Sequence, residues 1–90
     1  MTNNYTEIIS HIQDIASFIS EDNYSIGINE ARKLLIKLRD LGVKKEYVYQ
    51  QLFKKHNELP NCLSRDFMAD ILDYVSGWCS PHNRIWNDEQ

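Results

Sequence analysis

His56, Cys62, Cys79 and His82 supply two imidazoles and two thiols, the ligand types of a structural zinc site. Their spacing is not that of a zinc module. Five residues separate His56 from Cys62, two separate Cys79 from His82, and neither pair is CxxC-like. The alternative is that Cys62 and Cys79 are small buried hydrophobes. Cys79, His82 and Asp73 also offer the types of a nucleophile, a base and an orienting group. Pro81 and a helix end would have to aim them, and nothing around them resembles a protease signature. Neither GxxxxGK[ST] nor GxGxxG occurs, so no phosphate cradle is indicated. The chain reads as a non-enzymatic protein without cofactor or metal.

Carboxylates are more informative. Asp66, Asp70 and Asp73 stand at i, i+4 and i+7, which puts three negative charges on one side of one helix. Like charges in such a row cost ~0.2–0.5 kcal/mol per pair. The row is either a solvated face or a patch for a basic partner, where complementary charge raises the on-rate and selects the partner. Charge is segregated along the whole chain. Residues 1–26 contain Glu7, Asp14, Glu21 and Asp22 and neither Lys nor Arg. Residues 27–65 carry nine cationic side chains against four carboxylates, and residues 66–90 carry five carboxylates against Arg84. The segments are thus −4, +5 and −4, for a net charge of −3. That balance does not suggest nucleic-acid binding by the chain as a whole.

The basic middle holds a rival reading. KLRDLGVKKEYVYQQLFK, residues 37–54, has a helix ending near Gly42, a tight turn and a Lys/Tyr-rich helix. This resembles a helix-turn-helix, with Val43 as the turn hydrophobe and Lys44, Lys45, Tyr47 and Gln51 where readers of bases would sit. Any helical hairpin with a glycine turn looks similar, and the two acidic flanks would repel phosphate.

Four helices must position these groups. The first is expected over about Asn4 to Ser20, with Tyr5, Ile8, Ile12, Ile15 and Ile19 as its apolar stripe and Glu7, His11 and Asp14 opposite. Residues 21–27 then break the pattern with Asp22, Asn23, Ser25 and Gly27. The second runs from about Ile28 to Leu41, burying Ile28, Ala31, Leu34, Leu35, Leu38 and Leu41, and stops at a left-handed Gly42. Arg32, Lys33, Lys37 and Arg39 stay outside. The third spans about Lys45 to Asn57, with Val48, Tyr49, Leu52 and Phe53 inward, and Pro60 prevents its continuation. The fourth begins near Ser64 as N-cap, with Asp66 in its first turn. Its stripe is Phe67, Ile71, Tyr74, Val75 and Trp78, widened by Met68, Leu72 and Cys79, and Pro81 ends it. No strand pattern, repeat or low-complexity segment appears. The expected architecture is all-α, a small four-helix bundle in a single domain spanning residues 1–90.

Composition agrees with that picture. Hydrophobic residues are 42% and charged residues 26%, ordinary for a folded domain and too apolar for a disordered chain. The N-terminus has neither a basic leader nor an uninterrupted apolar run, and no stretch approaches the ~20 apolar residues of a membrane span. Two cysteines are too few for a disulfide framework. A cytoplasmic protein with reduced thiols is expected.

GWCSPHNRIW, residues 77–86, is too rich in Trp, Cys, His and Arg for a frayed tail. After Pro81 turns the chain, Ile85 and Trp86 can fold back as a lid over the bundle's open end, adding apolar burial that a small core needs. Arg84 would face an acidic helix, and a buried Trp86 indole N–H would need a polar partner. Trp86 is also a candidate interface hot spot. An exposed Phe18, Ile36 or Trp86 would suit a dimer.

EARKLLIKLRDLGVKKEYVYQQL, with Ala31, Leu34, Leu38, Gly42, Val48, Tyr49 and Leu52, and DILDYVSGWCSPHNRIW together resemble small all-helical immunity proteins of bacterial polymorphic-toxin systems, in particular those of contact-dependent growth inhibition. The resemblance covers residues 30–86, and GWCSPHNRIW is its more distinctive part. It implies a protein that binds and blocks the C-terminal toxin domain of a large delivered protein. Many such toxins are nucleases attacking RNA, tRNA included, or DNA, and have basic active faces. An acidic inhibitor can occupy such a face as a phosphate mimic. Glu7, Asp14, Asp66, Asp70, Asp73 and Trp86 are the partner-binding candidates, the carboxylates chosen from charge and helical spacing.

Overall fold

The computed structural model describes residues 4–59, 62–77, 85 and 86. They form an all-α four-helix bundle: α1 (Asn4–Ser17), α2 (Tyr24–Asp40), α3 (Lys45–Glu58) and α4 (Cys62–Ser76). Each of α1 and α4 packs against both α2 and α3, and α1 and α4 also meet across the core, whereas α2 and α3 touch least. Going around the bundle, the order is therefore α1, α2, α4, α3, with α1 and α4 on the short diagonal. Buried residues from all four helices, together with Ile85, make one apolar cluster.

On α1 the deepest residues are Ile9, Ile12, Ala16 and Ile19. Ile12 and Ile19 belong to the expected stripe, and Ile9 and Ala16 shift its centre to one side, because α1 meets three neighbours. Ile8 and Ile15 are only partly buried, Ile15 on the flank toward α2. Gln13 on the opposite flank donates from Nε2 to the backbone carbonyl of Gln51 on α3 at 3.4 Å. The helix ends at Ser17, three residues earlier than expected.

Helix α2 begins four residues earlier than expected. Asp22 and Asn23 do form the turn, but Ser25 and Gly27 lie inside the helix. Gly27 is there for close packing rather than for a turn. A Cβ built on it would stand 2.5 Å from Ile19 Cδ1, 3.1 Å from the Phe67 ring and 3.3 Å from Ile15 Cγ2. The corner itself is tied by Asn23, whose Oδ1 accepts from the Ser20 backbone N–H at 2.8 Å and whose Nδ2 donates to the Phe18 carbonyl at 3.5 Å.

The α2 C-terminus is a Schellman turn. Gly42 adopts φ +87°, its N–H bonds the Arg39 carbonyl at 2.9 Å, and the Val43 N–H bonds the Leu38 carbonyl at 3.1 Å. Leu41 is not part of the buried stripe but 53% exposed, because it sits at the cap where the core face has turned away. On α3, Val48 and Leu52 are fully buried, but Phe53 is 44% exposed. Its ring stacks between Tyr49 and His56, at 6.0 and 6.1 Å, instead of entering the core.

Helix α4 starts at Cys62, so Ser64 is a buried residue of its first turn rather than the N-cap, and Asp66 lies beyond that turn. Phe67, Met68, Ile71, Leu72 and Val75 are buried. Gly77 with φ +89° follows the last helical residue, Ser76. Trp78, Cys79, Pro81, His82 and Arg84, with their expected stripe, metal, catalytic and ion-pair roles, lie outside the described residues. Ile85 is 1% exposed and Trp86 packs against the core, so the chain does return over the bundle as a lid.

Replacing Gly27 by Val tests the close approach of α1 and α2. At an exposed helical site the change would stabilise by a few tenths of a kcal/mol. Here overpacking should destabilise by ~1–3 kcal/mol, read as a lower urea midpoint.

Candidate partner-binding surface

Because Phe67, Ile71 and Val75 face the core, Asp66, Asp70 and Asp73 fall on the opposite side of α4, and all three are exposed. The carboxylates of Asp66 and Asp73 make no hydrogen bond or ion pair among the described residues, although the Ser76 hydroxyl donates to the Asp73 backbone carbonyl at 3.4 Å. Asp70 is held by Tyr24, whose hydroxyl donates to Oδ2 at 2.6 Å. The Tyr24 ring meets Phe67 edge-on at 5.4 Å, so this residue links the core to the acidic row. Burial, and then the bond to and negative charge of Asp70, push the Tyr24 hydroxyl well above the ordinary tyrosine range.

The cation nearest in role does not neutralise the row. Arg32 was expected to point to solvent, but its guanidinium lies 5.5 Å from the centre of the Tyr74 ring. Its Nε is buried without a hydrogen-bond partner. Arg39, also on α2, pairs with its neighbour Asp40 at 3.2 Å and donates from Nη1 to the Ile85 carbonyl at 3.1 Å. The two arginines of α2 thus serve ring and tail contacts.

Glu7 and Asp14 are exposed on α1, on the side away from Ile9, Ile12 and Ala16. Since α1 and α4 occupy a diagonal, their outward faces point to opposite sides of the bundle. The structure therefore gathers Asp66, Asp70 and Asp73 into one face and places Glu7 and Asp14 on another. Helical spacing predicted each set, but only the packing order shows that they are separate.

Trp86 is used by the fold. Its indole N–H donates to the Val43 carbonyl at 3.0 Å, the carbonyl that the Schellman turn presents. In the basic hairpin, Lys44 and Tyr47 are exposed, Val43 is partly buried, and Tyr47 packs edge-on against Tyr5 of α1 at 5.8 Å. The limited contact between α2 and α3 differs from the packed pair of a helix-turn-helix. Among the described residues no group of three or more His, Cys, Asp or Glu is placed to hold a metal ion. Among them, too, no helix is long and apolar enough to cross a membrane.

Two exposed apolar residues were not among the expected partner-binding candidates. Phe18 is 79% and Ile26 65% exposed, and both line a groove at the α1–α2 corner. Phe18 was singled out only as a residue that would suit a dimer if exposed, and Ile26 was hidden in a segment that looked like a turn. Tyr24 was hidden in the same segment.

Fold and surface define a small all-α bundle with segregated charge. Comparison with protein-family models, curated proteins and solved structures returned no match.

The Tyr24–Asp70 bond has a pH signature. A hydroxyl whose pKa is raised by folding keeps its proton where the unfolded chain, at ~10, loses it. Its contribution is complete below pH ~10 and declines as pH rises above that value. Tyr24→Phe should therefore cost about 1 kcal/mol at pH 8. The deficit relative to wild type should shrink by pH 11, measured by urea unfolding at both values.

Proposed function

We propose that this is a cytoplasmic immunity protein that binds and neutralises a cognate toxin domain, a nuclease acting on RNA or DNA, of a contact-dependent growth inhibition system. The observation that carries the reading is the row on α4. Three exposed carboxylates lie along one helix face, and two of them have no hydrogen-bond or ion-pair partner among the described residues. Only Asp70 serves the fold, through Tyr24; a chain selected only for stability gains little from adding Asp66 and Asp73, because like charges in a row repel one another. A partner whose nucleic-acid-binding face bears Lys and Arg would relieve that repulsion and be steered toward it. The resemblance of residues 30–86 to immunity proteins supports the same function. The row acts by occupying the toxin's phosphate-binding face; no catalytic group is required of the inhibitor.

The diagonal arrangement of α1 and α4 sharpens the expectation. One flat basic face cannot cover both acidic faces, so the α4 row is assigned to the toxin and Glu7 to the far side. Asp70 is a poor probe because it also holds Tyr24. Among the described residues the carboxylates of Asp66 and Asp73 make no hydrogen bond or ion pair, and reversing them is expected to leave the fold intact.

The experiment is co-expression with the C-terminal domain encoded immediately upstream. Wild type should preserve viability and co-purify with that domain. The Asp66→Lys/Asp73→Lys double variant should bind at least ~10-fold more weakly at low salt, and the difference should narrow as salt screens the charges. Glu7→Lys should bind as wild type does. Cell death despite good expression of wild type would refute the toxin reading. A Glu7→Lys defect with the double variant unaffected would move the interface to α1.

A further inference from the structure

The α1–α2 corner carries a second surface that the acidic row does not explain. Phe18 and Ile26 flank a groove of about 370 Å³ whose floor is Ile15, Ile19 and Gly27. Both side chains are mostly exposed, at 79% and 65%, although neighbouring apolar residues of the same helices are buried. Asp14 and Glu30 line its rim, and both are exposed. Glu21 and Asp22 stand in the connecting turn, also exposed. The first 26 residues contain no Lys or Arg to offset them. His11 is the one titratable nitrogen on the lining. The corner is also held in shape: the Phe18 N–H bonds the carbonyls of both Asp14 and Ile15 at 3.2 Å, and Asn23 ties Ser20 and the Phe18 carbonyl. A site already in its binding shape loses little entropy when occupied.

We propose that this corner is a docking site for a segment of another protein that presents a large apolar side chain flanked by Lys or Arg. The apolar side chain would enter between Phe18 and Ile26, and the cations would meet Asp14 and Glu30. Charge decides among the occupants. A second copy docking face to face would set Asp14, Glu21, Asp22 and Glu30 against their own equivalents, which repel. An anionic lipid surface would be repelled by the same four groups. A basic-rimmed apolar segment gains from both halves of the site. The proposal concerns a face other than the α4 row, and it stands whether or not the protein neutralises a toxin.

The test uses the full chain, uniformly labelled with 15N, and three synthetic peptides. One is an amphipathic Leu/Lys helix, one a Lys/Ser peptide of equal charge, and one a Leu/Glu helix of equal apolar content. The Leu/Lys peptide should shift the amides around Asp14, Phe18, Ile26 and Glu30, with an affinity that falls as salt is added. Phe18→Ser, at an exposed position that tolerates the change, should weaken it by ~10-fold or more. Asp14→Lys should weaken it as well. The other two peptides should leave the corner unchanged. The proposal is overturned if no peptide shifts the corner or if Leu/Glu binds as well as Leu/Lys. Shifts centred on Asp66–Asp73 instead would also overturn it. So would concentration-dependent self-association in sedimentation that Phe18→Ser removes, because the occupant would then be a second copy.

Discussion

Closure of the bundle at the α2–α3 turn is the constraint on which the other features depend. Helices α2 and α3 sit on the long diagonal and barely touch, so the turn that joins them leaves the core open beneath it. Ile85 fills that space and is 1% exposed. An isoleucine buried this completely contributes about 2 kcal/mol of transfer free energy, a large share of what a 90-residue chain has to spare. The tail is held by two hydrogen bonds of different origin. Trp86 donates to the Val43 carbonyl, and Arg39 donates to the Ile85 carbonyl. Both depend on the Schellman turn. Gly42 at φ +87° lets the chain reverse just after Leu41, which brings Val43 back over Leu38 and presents its carbonyl to the indole. A side chain with a Cβ at Gly42 would strain the turn that orders the tail.

That closure divides the polar residues into two groups. Trp86, Arg39, Arg32 and Tyr24 are engaged with the tail, a ring or a carboxylate of the same chain. On the outer faces of α1 and α4, what is left over is negative. The acidic helices α1 and α4 each pack between the basic helices α2 and α3, so charge alternates around the bundle. Neighbouring helices attract weakly over distances within a Debye length, ~8–10 Å, without forming close pairs. This arrangement tolerates exposed, unpaired carboxylates on the outer faces of α1 and α4. A partner can then neutralise them without displacing any contact that holds the fold.

Much of this was legible in the sequence, because helical period is a local property. The all-α class, the four helices, Gly42 as the stop of α2 and the return of Ile85 and Trp86 all follow from residue spacing and turn chemistry. The partner of the Trp86 indole was not legible, since it is a backbone carbonyl 43 residues away. Gly27 misled for a related reason. Glycine signals a turn or a close approach, and only the positions of Ile19 and Phe67 show that it is the second. Ser64 misled as an N-cap because a serine before an apolar run looks the same whether the helix starts there or one turn earlier. For the site, spacing found each carboxylate, and Asp66, Asp70 and Asp73 do share a face. It could not show that Glu7 and Asp14 look the other way, nor that Phe18 and Ile26 line one groove, because both facts depend on how helices pack.

The most direct measurement of this account is hydrogen exchange at the Trp86 indole N–H in the free protein, with its resonance distinguished from that of Trp78 by the Trp86→Phe variant. If the tail closes the core, the indole proton should exchange through the same opening as the Leu35 and Leu38 amides, with comparable protection. Exchange at the rate of an exposed indole, with those amides still protected, would show that the bundle is closed without its tail and would contradict the account.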